Sequence, residues 1–285
     1  TKLLEANQPG KALELLEPVL KQGAKDPDLL FLAGLAAYRS DQAKNALDYW
    51  KQSLDLKPNE ALARLYYKVQ RETISDRSGE KLYGMRVVLR YEGETVSPEL
   101  ARGMVALLDE EFTRISGILG CPAEERVIAI VQSRQAYLRS TDAAEWSGGQ
   151  YDGRIRVSFP GADRRVLAHE IVHACLTNIS ATWPAWLHEG FAQKLSGDVL
   201  SPAERDQIRK MAGAHAIPRL ENMGQTWSRM NAQHAHTAYR VALAAADLLF
   251  AQYENTGLQN MLLNILSNPE RLPSITAELD RQLGL

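Results

Sequence analysis

The sequence repeats itself near its start at an offset of 34 residues. Gly10-Lys11-Ala12-Leu13-Glu14-Leu15-Leu16 is matched by Lys44-Asn45-Ala46-Leu47-Asp48-Tyr49-Trp50, with Ala12 and Ala46 in register. A period of this length accommodates two helices and a turn. Such a hairpin can bury its apolar face only against a neighbouring hairpin, which confines the N-terminal region to stacked helical pairs. Gly34 and Ala46 let the two helices of one pair approach closely, and Trp50 fills the gap beside them. Residues 10–22 are expected to form the second half of a preceding pair, and residues 60–71 a closing helix.

Leu30, Gly34, Ala46, Trp50 and Pro58 hold the spacings of a tetratricopeptide (TPR) repeat, which residues 1–75 resemble over one full repeat and half of another. About three units are needed for a stable stack, so the array is short or continues ahead of Thr1. The resemblance implies a groove that takes a partner's helix or extended segment. The competing reading is that these helices dock on the following domain or act as a spacer. Polar, glycine-broken Ser75-Asp76-Arg77-Ser78-Gly79-Glu80 marks the boundary, with a second domain expected over residues 80–285.

In that second region Met85-Arg86-Val87-Val88-Leu89-Arg90-Tyr91 reads as a strand, and residues 97–119 as a helix capped by Ser97 with Glu99 in its first turn. Val127-Ile128-Ala129-Ile130-Val131 reads as a buried strand, whereas Arg154-Ile155-Arg156-Val157-Ser158-Phe159 alternates like a half-exposed one. Between them, Trp146-Ser147-Gly148-Gly149-Gln150-Tyr151-Asp152-Gly153 suits either an ordinary hairpin loop or an edge against which an extended peptide could lie. Strand, helix, strand, short helix and hairpin followed by further helices make the fold class α+β.

The chemistry is concentrated in His169-Glu170-Ile171-Val172-His173. On a helix the two histidines fall roughly 40° apart at about 100° per residue, so both imidazoles can reach one cation. Glu170 then stands beside that cation, where a general base belongs. Asp163 after Pro160-Gly161 supplies the N-cap, and polar Thr177-Asn178 ends the apolar pattern. A catalytic zinc site takes three protein ligands and leaves a position for water. Pro184 opens a second helix whose Glu189 lies sixteen positions after His173.

This pairing, with Trp186-Leu187-His188-Glu189-Gly190-Phe191-Ala192 on the second helix, resembles the gluzincin zinc metallopeptidases, in particular their peptidase MA-like domains. The resemblance spans about residues 82–280 and implies a zincin-like domain, with a small mixed sheet and the zinc helix in its first half and a mostly helical second half from Pro184 onward. It implies Zn²⁺ held by His169, His173 and Glu189, with Glu170 as general base. His188, roughly 100° from Glu189 on the wheel, reads as a supporting or surface residue. Gln193, one turn beyond Glu189, could accept a hydrogen bond from a ligating imidazole. Tyr239 in the Ala238-Tyr239 pair is the candidate oxyanion donor and His236 the second candidate; His234 reads as solvated. The gluzincin aminopeptidase signature Gly-x-Met-Glu-Asn is absent, which favours cleavage within a peptide chain. Two rivals stand beside this reading: a TPR adaptor with a structural or silent zinc site, and a zinc hydrolase of esters or epoxides.

A net charge of -2 gives no basic field for nucleic acid or anionic membrane. The best apolar run, residues 241–250, contains Asp247 and is too short to span a bilayer. Cys121 and Cys175 form no Cys-x-x-Cys pair and read most simply as buried thiols, with a disulfide as the alternative in an oxidising compartment. The first residue is Thr1 rather than methionine, which suggests that the chain was trimmed ahead of it and leaves room there for a signal peptide or lipid anchor. The location is thus periplasmic, exported or lipid-anchored if a signal was removed, and cytoplasmic otherwise.

Overall fold

The structure, a computed structural model, describes residues 2–5, 8–75, 79–122, 126–141, 147–223, 227 and 232–285. Asp76, Arg77 and Ser78 of the polar link and Trp146 of the glycine-rich segment lie outside the described residues. Among those described, thirteen α-helices and one mixed five-stranded sheet give an α+β architecture. None of these helices is long and apolar enough to cross a membrane. The chain forms two compact units, Thr1–Asp109 with Ala123–Ala162, and Glu110–Pro122 with Asp163–Leu285. The link near residue 78 falls inside the first of them.

The first unit begins with α1 (Lys2–Glu5), α2 (Pro9–Lys21), α3 (Pro27–Arg39), α4 (Ala43–Leu56) and α5 (Glu60–Ser75). Asp26 starts α3 by accepting the amides of Asp28 and Leu29 at 2.8 and 3.1 Å, with Pro27 at the first helical position. Gly34 is where α3 meets α4: a Cβ there would stand 2.3 Å from the indole of Trp50. Trp50 is fully buried and donates its ring N–H to Phe31 O at 3.1 Å. Burying a ring of this size removes roughly 200 Å² from water, about 5 kcal/mol as an upper bound.

The unit continues with β1 (Gly79–Tyr83), β2 (Val87–Glu92), the first half of α6 (Pro98–Leu119), β3 (Val127–Ser133), α7 (Arg134–Ser140), β4 (Gly149–Tyr151) and β5 (Ile155–Phe159). The sheet order is β1-β2-β3-β5-β4, parallel between β2 and β3 and between β3 and β5, antiparallel at both ends. Thus β4, in the glycine-rich segment, is an edge strand. The alternation at Arg154 and Arg156 does not mark a solvent face, because both side chains are fully buried. Their guanidiniums are met by groups from the N-terminal helices. Arg154 donates to Tyr38 O at 2.7 Å and stacks 4.1 Å from the Tyr38 ring centroid. Arg156 donates to buried Glu72 at 3.1 Å, and the Tyr38 hydroxyl donates to the same carboxylate at 2.7 Å. Asp41, just after α3, accepts from Arg90 of β2 at 2.7 Å, and Lys68 of α5 pairs with Asp152 beside β5. Burial pushes the Glu72 carboxyl above its ordinary pKa despite the attraction of Arg156. The helices therefore dock on the sheet through charges held out of water.

The second unit contains the rest of α6, then α8 (Arg164–Ile179), α9 (Ala185–Ser196), α10 (Pro202–Gly213), a 3₁₀ turn at Leu220–Asn222, α11 (Ala232–Gln252), α12 (Asn255–Ser267) and α13 (Arg271–Leu283). Asp163 accepts the Val166 amide at 2.9 Å and caps α8. Arg164 reaches Glu110 and Glu111 of α6 at 2.6 and 2.5 Å, while Arg114 bonds Glu111 and the carbonyl of Leu195. Cys121 and Cys175 are joined in a disulfide, with Cα atoms 5.3 Å apart, which ties the end of α6 to α8. The reading as two thiols fails because α8 turns Cys175, wholly buried, onto the α6 terminus. Alanine-rich α11 packs tightly on α9: a Cβ on Gly190 would lie 2.4 Å from Ala242 O. Phe191 and Phe250 meet edge to face, with centroids 5.2 Å apart, on the same seam.

Candidate metal centre

Three helices of the second unit converge on one cluster. From α8 come His169, Glu170 and His173; from α9 come His188 and Glu189; α11 contributes Tyr239. The i, i+4 spacing sets the His169 and His173 rings on one face, with centroids 4.8 Å apart and planes at 73°. Glu189 Oε2 lies 3.4 Å from His169 Nε2 and 3.6 Å from His173 Nε2. That oxygen is buried and has no hydrogen-bond partner among the described residues. An ion held about 2.0–2.2 Å from each of three tetrahedral ligands sets those ligands roughly 3.3–3.6 Å apart. The two Glu189–histidine separations are thus those a small tetrahedral cation requires, and the three ligand atoms, all within 4.8 Å of one another, are the only such His/Cys/Asp/Glu group among the described residues.

The electrostatics fit a site for positive charge. Burial alone would push the Glu189 carboxyl up, but His173 and His169 hold it well below the usual carboxylate range. Burial likewise disfavours a charged His173, yet Glu189 and, more weakly, Glu170 carry its pKa above the ordinary value. Glu170 is buried beside the cluster and does not contribute a ligand atom to it. The Tyr239 hydroxyl is raised well above its ordinary pKa by burial, then by the charges of Glu189 and Glu170 and a hydrogen bond with Glu189. Its ring stands edge-on to Trp227, with centroids 5.2 Å apart.

His236 and His234, earlier on α11, are both exposed. Gln193 does not receive an imidazole N–H: its amide donates to Glu189 O at 3.0 Å and to Tyr239 O at 2.8 Å. It thereby ties the backbone of Tyr239 to α9, because the side chain reaches across the close α9–α11 seam.

Sequence reasoning left His188 between a supporting and a surface position, and the structure sets it beside His173. Its Nδ1 lies 3.4 Å from His173 Nδ1, and the two rings are tilted by 36° with centroids 5.5 Å apart. Burial, then the neighbouring His173, push the pKa of His188 down to about 3. The only signal in the sequence was adjacency to Glu189; the contact depends on how α9 crosses α8. The sequence matches no protein-family model and no curated protein.

Proposed function

We propose that the chain is a zinc-dependent peptidase of the gluzincin type, with a peptidase MA-like catalytic region and TPR-like helices ahead of it. The observation that carries this reading is the convergence of His169, His173 and Glu189, whose ligand atoms lie within 4.8 Å of one another with the carboxylate 3.4 and 3.6 Å from the two imidazoles, and with Glu170 buried alongside. Two imidazoles and one carboxylate are a donor set that suits Zn²⁺, and they leave a position for water. When bound, the ion supplies Lewis acidity toward a water molecule and a substrate carbonyl.

The chain's own residues do the remaining work. Glu170 accepts a proton from the attacking water and passes it to the leaving amine. Tyr239, kept protonated by burial and by two carboxylates, offers its hydroxyl to the developing oxyanion. Gln193 holds the backbone of Tyr239 at that distance from the ligand helix. A purely structural metal needs no buried general base, so Glu170 weighs against the reading as a silent adaptor. The disulfide supports a periplasmic or exported location, since such bonds persist in oxidising compartments. For a protein partner, the cleft lined by Phe31, Ser53, Lys57, Leu62 and Leu65 is the recess in the helical region we would assign.

The test is Glu170→Gln in the full chain. Zinc content by elemental analysis should stay at that of wild type, and cleavage of a peptide library should fall by at least about 10²-fold. Cleavage at the wild-type rate, or wild-type cleavage that survives a chelator, would overturn the proposal.

A further inference from the structure

The two nitrogens of His173 face different partners. Nε2 points at Glu189 Oε2, 3.6 Å away, and Nδ1 lies 3.4 Å from His188 Nδ1. A neutral imidazole carries one hydrogen, and a nitrogen that binds a cation must present its lone pair. If Nε2 is the ligand atom, the hydrogen of His173 sits on Nδ1 and needs an acceptor, which His188 Nδ1 can be when its own hydrogen is on Nε2. The reverse arrangement has His188 donating to His173 Nδ1. That puts a hydrogen on His173 Nε2, directed at the Glu189 carboxylate, and closes the cation site with a neutral hydrogen bond.

We infer that His188 is a positioning residue: it accepts the Nδ1 hydrogen of His173 and thereby holds that ring in the tautomer able to ligate a metal. This rests on the metal-centre reading above and adds to it the source of the ring's orientation. Ligating histidines elsewhere generally donate their second nitrogen to a carboxylate or carbonyl oxygen. Here an imidazole takes that place, and it is contributed by the residue next to the third ligand. One helix, α9, thus delivers both the carboxylate ligand Glu189 and the acceptor that prepares His173. The register of α9 against α8 sets both at once. A rotation of α9 that withdrew Glu189 would withdraw the acceptor too, so the site is either assembled or lost as a whole.

The experiment compares wild type with His188→Leu, which keeps the volume without an acceptor, and His188→Asn, whose Oδ1 occupies nearly the position of the imidazole Nδ1. Zinc affinity is read by competition with a chromophoric chelator, and coordination by the visible spectrum of the cobalt-substituted protein. His188→Leu should bind zinc about 10- to 100-fold more weakly with an altered cobalt spectrum. His188→Asn should return to within about threefold of wild type, a rescue that packing alone would not give. Wild-type affinity and spectrum in His188→Leu would overturn the role of His188 and leave the metal centre standing. So would a folded His188→Asn that binds poorly, and this variant decides the matter if His188→Leu does not fold. Wild type that binds no zinc would instead remove the metal centre, and this inference with it.

Discussion

Reducing the Cys121–Cys175 bond is the perturbation whose cost can be worked most directly from the fold. The two residues are 54 positions apart, so the oxidised unfolded chain carries a closed loop of that length. The loop-entropy relation gives about 14 cal/mol/K for such a closure, or about 4 kcal/mol at 25 °C, by which the reduced protein should be less stable. Comparing oxidised with reduced wild type leaves no cavity to correct for, since the same sulfurs remain in place apart from two hydrogens. Urea unfolding followed by circular dichroism should therefore show a loss near 4 kcal/mol, and the melting temperature should drop by roughly 8–16 °C. Hydrogen exchange should locate the loss at the end of α6 and in α8, which the bond joins. A difference below about 1 kcal/mol would refute the entropic argument, and alkylation of two thiols in protein folded under oxidising conditions would refute the pairing itself.

Two further perturbations test the packing. Gly190→Ala would place a methyl group 2.4 Å from Ala242 O and 2.9 Å from its carbonyl carbon, so α9 and α11 must separate; it should cost about 1–3 kcal/mol by thermal denaturation and, on the proposed metal reading, weaken zinc binding at adjacent Glu189. Gly213→Ala, whose Cβ meets nothing within 4 Å, should be neutral or slightly stabilising, and an equal loss in both variants would contradict this account. At the buried pair, Glu72→Leu alone takes the carboxylate away from buried Arg156 and should cost about 3–5 kcal/mol, whereas adding Arg156→Met should recover much of that. A double-mutant cycle in urea measures the coupling, and additive losses would mean that the two charges do not support one another.

How much of this was legible from the sequence depended on the distance over which each feature is encoded. The α8 cluster was readable because His169 and His173 are four apart, and helical geometry alone brings their rings together. The close pass of α3 and α4 was readable for the same reason, as Gly34 and Trp50 belong to one hairpin. The burial of Arg154 and Arg156 was not, because Tyr38 and Glu72 lie more than 80 positions away and only the tertiary fold brings them together. Local alternation at β5 looked like a solvent-facing pattern, since the period of 2 reports a side-chain face and not what covers it. Strand β1 escaped for want of apolar residues: Gly79-Glu80-Lys81-Leu82-Tyr83 is an edge strand with little to bury. The Cys121–Cys175 pairing spans 54 positions and had no spacing signature to reveal it.

The guanidiniums beneath α3 and α5 also bear on how a chain of this kind can change in length. Tyr38 and Glu72 sit on those two helices, so removing either would take from a buried cation one of the groups that meet it. Cutting the chain at the polar link would expose the same two arginines on the sheet, and residues from 79 onward would not make a self-sufficient fragment. Helical pairs ahead of α3 carry no such obligation, because Ala12, Leu13, Leu16 and Leu20 of α2 join α3 through apolar packing. Repeats can be gained or lost only at that outer end, where the array can lengthen without disturbing what the sheet depends on.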